Sequence, residues 1–357
     1  MKKRTRAVLS LCLAFAGVAG VQAAESAADS TEKVNYMPEI HGTVRAKYEY
    51  QPEISSGRFE VRNARFSLTG NVARSVSYKA EIDLSDEGQI KMLDAYARFS
   101  PWSKKAVSRN GKLSVEGANF TIGQMRVPFT IDAHRSPHQQ YFANRSFIAK
   151  QVGNVRDVGA TVGARFDVGF PIVLEAGLFN GSGLTEQKDF WTDQVNYSAK
   201  AQLLFAPGWN LTLSTQHIRP DSIGIYMYDA GLYFERAGWH VEAEYLLKHY
   251  SQDAYGDVHA VDAFVSYTLP LRKVFHSMSF LGRYDYMSDH SDGTREDGIL
   301  VTNDYRRQRL TGGITLSIRK PFLSDIRLNY EKYFYREGAI PKVSEQDKVV
   351  VEFMVRF

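Results

Sequence analysis

The sequence predicts an all-β fold: a transmembrane antiparallel β-barrel of about sixteen strands, with one long inward-folding loop after strand 5. Three observations carry that expectation. In residues 347–357, Val349, Val351, Phe353, Val355 and Phe357 alternate with Lys348, Val350, Glu352, Met354 and Arg356, so one face is oily and the other mixed. The same period-two pattern recurs along the chain, as a wall requires when alternate side chains meet lipid and a wet lumen. Beyond the N-terminal region no run approaches the roughly 18 to 20 apolar residues that a spanning helix needs.

Residues 1–23 read as an export signal. Lys2, Lys3, Arg4 and Arg6 precede an apolar run over 7–21, and Val21-Gln22-Ala23 before Ala24 fits a small-residue cleavage site. Cys12, the one cysteine of the chain, follows Leu11 inside that run, which does not fit a lipid anchor. Its removal leaves a mature chain with no disulfide framework. The signal also takes four basic residues and no acid out of 44 Lys plus Arg and 40 Asp plus Glu, leaving 40 of each. The pI of 8.9 therefore belongs to the signal. No global field attracts nucleic acid, and any charge selectivity has to come from local clustering. Residues 24–38 are polar and unpatterned, a short periplasmic lead, and 39–357 show no composition shift or linker, so they are expected to form a single barrel domain.

The strands follow in order. Ile40, Val44, Ala46, Tyr48 and Tyr50 alternate with His41, Thr43, Arg45, Lys47 and Glu49; Val76, Tyr78, Ala80, Ile82 and Leu84 alternate with Ser77, Lys79, Glu81 and Asp83. Trp239, Val241, Ala243 and Tyr245 do so against His240, Glu242 and Glu244. Sixteen such segments centre near residues 45, 66, 80, 95, 119, 162, 176, 200, 213, 231, 243, 263, 282, 314, 329 and 352. A sandwich would also alternate, but its aromatics would concentrate mid-strand. Here Tyr48, Tyr50, Phe99, Phe166, Phe205, Tyr267, Tyr286 and Phe334 fall near strand ends, like the girdles at two membrane interfaces. Turns at 71–75 and 207–208 are expected on the periplasmic side, and 51–58, 183–193 and 287–305 on the outer side. Sixteen strands leave an aqueous channel.

One connection is different. From 126 to 156 the chain runs about thirty residues without a clear strand, a length that marks a functional or disordered loop. It holds Arg126, Arg135, Arg145, Lys150 and Arg156 against Asp132 alone, with His134 and His138 beside them. One reading is an anion-attracting constriction, since guanidinium forks match phosphate and carboxylate oxygens. The other is a solvated loop, or arginines paired with wall acids such as Glu81 and Asp83. A second basic set, Arg45, Lys47, Arg65, Lys79, Arg98 and Arg165, falls on lumenal positions of early strands, where Glu49, Glu81, Asp83, Asp94 and Glu175 also lie. Cross-wall ion pairing is the expected use of most of them. No spacing of His217, His240, His249 and His259 suggests a metal site, no serine sits in a Gly-x-Ser-x-Gly elbow, and no cofactor is expected.

Several segments resemble the phosphate-selective porin O and P family of bacterial outer membranes. They are Phe59-x-Val61-Arg62-x-Ala64-Arg65-Phe66 with Gly70, then Asp94-Ala95-Tyr96, Ile122-Gly123-Gln124, Val127-Pro128-Phe129, Asn144-Arg145-Ser146, Arg156-Asp157-Val158-Gly159 and Phe179-Asn180-Gly181-Ser182. They occur in order over residues 59–183. The resemblance implies a sixteen-stranded, usually trimeric barrel that conducts anions, with Arg62, Arg65, Arg126, Arg145 and Arg156 handling phosphate or a similar solute. Asn63 stands where the family often has a second arginine. The implied partners are outer-membrane lipid, small anions, two further copies of the chain, and the barrel-assembly machinery through the strand ending in Phe357. Two other functions stay open: a porin passing sugars or small peptides, and an outer-membrane enzyme or adhesin on the same barrel.

Overall fold

The computed structural model describes residues 34–357 except 87, 103–105, 108–113, 153, 185–186 and 292. The export signal and most of the polar lead lie outside the described residues. Sixteen wall strands follow among those described: β1 Glu39–Gln51, β2 Ser56–Ala73, β3 Val76–Asp86, β4 Gln89–Trp102, β5 Ser114–Arg126, β6 Arg156–Asp167, β7 Pro171–Phe179 and β8 Asn196–Ala206. The second half comprises β9 Trp209–Ile218, β10 Ile225–Arg236, β11 Trp239–Tyr250, β12 Val258–Pro270, β13 Ser277–Met287, β14 Arg307–Ile318, β15 Leu323–Tyr335 and β16 Lys348–Arg356. All sixteen expected centres fall inside a strand.

Each strand pairs antiparallel with its neighbours in sequence, and β16 pairs with β1 from Thr43↔Arg356 to Tyr50↔Val349, which closes the barrel. Closure gives every edge a partner, the condition for backbone amides to sit in hydrocarbon. The alternation sorts side chains as expected. Along β11, Trp239, Val241, Ala243 and Tyr245 are exposed outward while His240, Glu242, Glu244 and Leu246 are buried inward. Among the described residues no helix is long and apolar enough to cross a membrane.

The seam is held at its lower end by the last residue. Gly42 and Phe357 exchange both backbone hydrogen bonds, at 2.8 and 3.1 Å. The Phe357 ring lies over Gly42, where an added Cβ would meet ring carbons at 2.2 to 2.7 Å. Phe66 and Phe322 pack edge-on against it at 6.1 and 6.2 Å.

Residues 74–75, 207–208 and 237–238 make short turns at one rim, and the other rim carries the long connections 127–155, 288–306 and 336–347 beside the shorter 52–55. Two expected turns are shorter than predicted. The β1–β2 ladder continues to Gln51↔Ser56, leaving only 52–55 as loop, and the β2–β3 ladder runs to Ala73↔Val76. Backbone pairing outweighs the polar composition that suggested loop there. The outer connection over 288–306 carries a small hairpin, Arg295–Glu296 with Ile299–Leu300.

Candidate functional site

The long loop, residues 127–155, leaves the outer end of β5 and enters the barrel. Its local structure comes from polar caps. Asp132 accepts from the Ser146 backbone N–H (3.1 Å) and hydroxyl (2.7 Å), and the Ser146 oxygen in turn accepts from Ala149 N–H, starting helix α1, Phe147–Gln151. Gln139 reaches back to the Ser136 N–H across a short turn begun by Pro137.

The loop is fastened to walls on several sides. Thr130 N–H donates to the Ser214 hydroxyl of β9, Ile131 and Asp132 N–H groups to Glu244 of β11, Phe147 N–H to Asp285 of β13, and Ala143 N–H to Asn329 of β15. Arg283 and Arg309 donate to the carbonyls of Asn144 and Arg145, and Arg45 of β1 to that of Ala143. Wall side chains thus satisfy loop backbone that would otherwise be buried unpaired.

Apolar packing does the rest. Phe147 and Ile148 are fully buried. Phe147 lies with Val258, Met287 and Tyr333, and Ile148 with Val127, Phe129, Met227, Leu246 and Ala260. The competing state is a loop in a water-filled lumen, so the hydrophobic effect operates here, at about 2 kcal/mol for each such side chain.

The structure divides the cations that the sequence singled out. Most are neutralised. Arg135 forks onto Glu242 and lies 3.7 Å from Asp132; Lys150 meets Glu345 at 2.7 Å; Arg156 meets Asp94 at 2.6 Å and Glu81 at 3.1 Å. Arg45 binds Glu352, Lys47 binds Glu49 and Glu60, Arg65 binds Asp83, and Lys79 bridges Asp94 and Glu81. Arg62 lies 3.9 Å from Asp86. Ion pairing is thus the rule on this wall, and for these residues it displaces the picture of unopposed cations.

Four fall outside it. Arg98 donates to Thr121 and lies over the Tyr96 ring, and Arg165 is exposed near the short-turn rim beside Phe170 and Phe205. Neither is brought to the loop. Arg126 donates to the carbonyls of His134 (2.9 Å) and Arg135 (3.2 Å), and Arg145 to those of Ala133 (3.2 Å) and Arg135 (3.4 Å). For Arg126 and Arg145 no carboxylate oxygen of the described residues forms an ion pair. Both are held by one knuckle of loop backbone, 133–135.

Around that knuckle the arginines crowd. Arg156, Arg65 and Arg145 lie within electrostatic reach of Arg126, and Arg65, Arg45 and Arg62 within reach of Arg145. Burial lowers the Arg145 guanidinium to about 10, with Asp132 opposing and the neighbouring arginines adding to the fall. It still carries its charge at neutral pH.

The sequence reading missed the acids that anchor the loop: Glu242, Glu244 and Asp285, together with Asn329. The signal was present, since Glu242-x-Glu244 puts two carboxylates on one lumenal face, but nothing local says which loop lies opposite. Glu242, Glu244 and Asp262 bring carboxylate oxygens within 4.8 Å of one another, a geometry that could hold a cation. Two of the three are already used: Arg135 takes both oxygens of Glu242, and the amides of Ile131 and Asp132 take both of Glu244. The cluster holds the loop.

A closed sixteen-strand barrel with an inward loop defines the class: this is an outer-membrane porin. Residues 34–211 match the model of the family described as phosphate-selective porin O and P, and over that span the chain belongs to it. The fold is similar to the outer-membrane channel DcaP of Acinetobacter baumannii, with TM-score 0.60 and 14% identity over 90% of this chain and 97% of that one. An anion-selective porin from Comamonas acidovorans gives TM-score 0.55 and 11% identity over 90% and 99%. The trimer form of OmpT from Vibrio cholerae gives 0.56 and 9% over 90% and 98%. No curated protein matches the sequence.

Proposed function

We propose that this porin passes small anions, phosphate among them, by passive diffusion through the gap beside the 133–135 knuckle, without a catalytic step. The observation that carries the reading is the pair Arg126 and Arg145, charged groups bonded to carbonyls instead of carboxylates among otherwise balanced arginines. Carbonyl acceptors orient a guanidinium without cancelling its charge. A fixed positive field between low-dielectric walls concentrates anions and repels cations. Arg62, Arg65, Arg135, Lys150 and Arg156 shape the gap through their ion pairs, and Arg45, Lys47, Lys79, Arg98 and Arg165 line the approaches.

The assembly we propose is a homotrimer in outer-membrane lipid, inserted by barrel-assembly machinery that reads the strand ending in Phe357. The solved trimer of similar fold supports it. Family and fold together describe a channel rather than an enzyme.

The test is the zero-current potential of the reconstituted protein in a potassium chloride gradient. Anion preference is expected; cation preference removes the anion reading. Saturable reduction of chloride current by inorganic phosphate is expected as well, and a purely additive current removes phosphate as a preferred solute.

A further inference from the structure

The lumen beneath the loop is a second environment. On the short-turn side lies a cavity of about 680 Å³, within the ~300 to 1,000 Å³ usual for small-molecule sites. A row of rings forms part of its wall. Tyr233 of β10 stacks on His240 of β11 at 5.3 Å, and Tyr141 of the loop lies 4.6 Å from His240. Beside them β12 and β14 present the hydroxyls of Ser266, Thr268 and Thr315.

The cations of this cavity are all paired, and Glu235 adds an exposed carboxylate 3.5 Å from His240 Nδ1. Arg327 is held by Glu352 (2.6 Å) and Asp325 (2.9 Å), Arg135 by Glu242, and Lys200 lies 4.0 Å from Glu175. That differs from the Arg126 and Arg145 knuckle, whose cations form no ion pair with a carboxylate of the described residues. A simple anion gains nothing from rings, and an aromatic carboxylate would need an uncompensated cation here. A neutral sugar needs neither: its C–H face meets the electron-rich face of a ring, and its hydroxyls exchange water for the serine and threonine row.

We propose that this cavity is a carbohydrate subsite, in which Tyr233 and Tyr141, braced by the buried His240 ring between Tyr233 and Phe264, stack on the apolar face of a neutral sugar ring. The proposal rests on the channel reading above and extends it to a second solute class. Sugar dwelling here sits in the ion path and interrupts current without altering the charged knuckle.

The experiment uses the full protein in planar bilayers, with maltose added on the short-turn side. The expected result is a saturable fall in chloride conductance. Tyr233→Ala should raise the half-blocking concentration about three- to tenfold while keeping the sugar-free conductance and reversal potential, and Tyr233→Phe should restore block. A fall in current that only tracks the lowered bulk conductivity overturns the proposal, as does saturable block unchanged in Tyr233→Ala, or stronger block by benzoate than by maltose. The reversal potential without sugar reports on the anion reading separately, so each can fail alone. Calorimetry of maltose with detergent-solubilised protein checks binding without any current, and absence of heat there also overturns it.

Discussion

At the scale of single residues, what matters is the acceptor each cation has found. Arg156 and Arg65 sit on carboxylates and add little net charge, whereas Arg126 and Arg145 sit on carbonyls and keep more of theirs, with Asp132 offsetting part of the charge of Arg145. His138 makes the complementary point. Burial, with Arg356 and Arg126 nearby, lowers it to about 4 against an ordinary 6.5. It therefore stays neutral across the neutral and mildly acidic range. An ordinary histidine in the gap would strengthen anion preference between about pH 7 and pH 5; His138 should not, so His138→Ala should leave the pH dependence over that range unchanged. Reversal potentials across that range check this. The sign for stability is the opposite of a stabilising pair: the unfolded chain binds a proton at His138 before the folded one does, so acidification from 6.5 towards 4 favours unfolding. Gly42 is a second residue with a definite prediction. Gly42→Leu places a side chain inside the Phe357 ring and should abolish the folded, fast-migrating band on unheated gels, while the smaller defect of Phe357→Ala should leave part of it.

At the scale of elements, the loop behaves as a docked plug fragment, and its fastening can be loosened piece by piece. Glu244→Leu strands the amides of Ile131 and Asp132 at a cost of about 2 to 3 kcal/mol, and should raise both conductance and current noise. Glu244→Gln keeps one acceptor oxygen for the two amides and should have an effect between those of the unmodified protein and Glu244→Leu. Protease sensitivity of residues 127–155 should follow the same order. A clasp near the outer rim responds to pH. Glu345 binds Lys150 and Arg307, and although burial raises its pKa, those two cations outweigh burial and hold it below the usual 4.5. Its contribution is thus present above pH 4.5 and lost as pH falls through the lowered value. Lys150→Ala should shift that acid transition upward, measured by proteolysis of the loop against pH.

At the scale of the whole molecule, strands were legible because period-two alternation is local: each wall residue meets lipid or lumen whatever its distant neighbours are. The loop was legible as an interruption of that rhythm, and its cations by composition. What they bond to was not. Arg135 faces Glu242 while Arg145 hydrogen-bonds to loop carbonyls because the chain crosses the lumen at one height and angle, which depends on wall strands more than a hundred residues away. Asn63 is similar: read as a departure from an arginine, it takes part in the buried Arg45–Asn63–Asp83 chain of hydrogen bonds. The acids of β11 to β13 looked like generic lumen polarity and prove to be where the loop is tied.

The central claim is that net anion preference comes from Arg126 and Arg145. The direct measurement is the zero-current potential of the Arg126→Glu, Arg145→Glu double variant beside the unmodified porin in one salt gradient. Each charge should be worth about 1 kcal/mol to a permeating ion at the gap after screening, so the pair should move the permeability ratio by an order of magnitude or more and reverse its sign. A double variant that folds, conducts and keeps the anion preference of the unmodified channel would contradict the account.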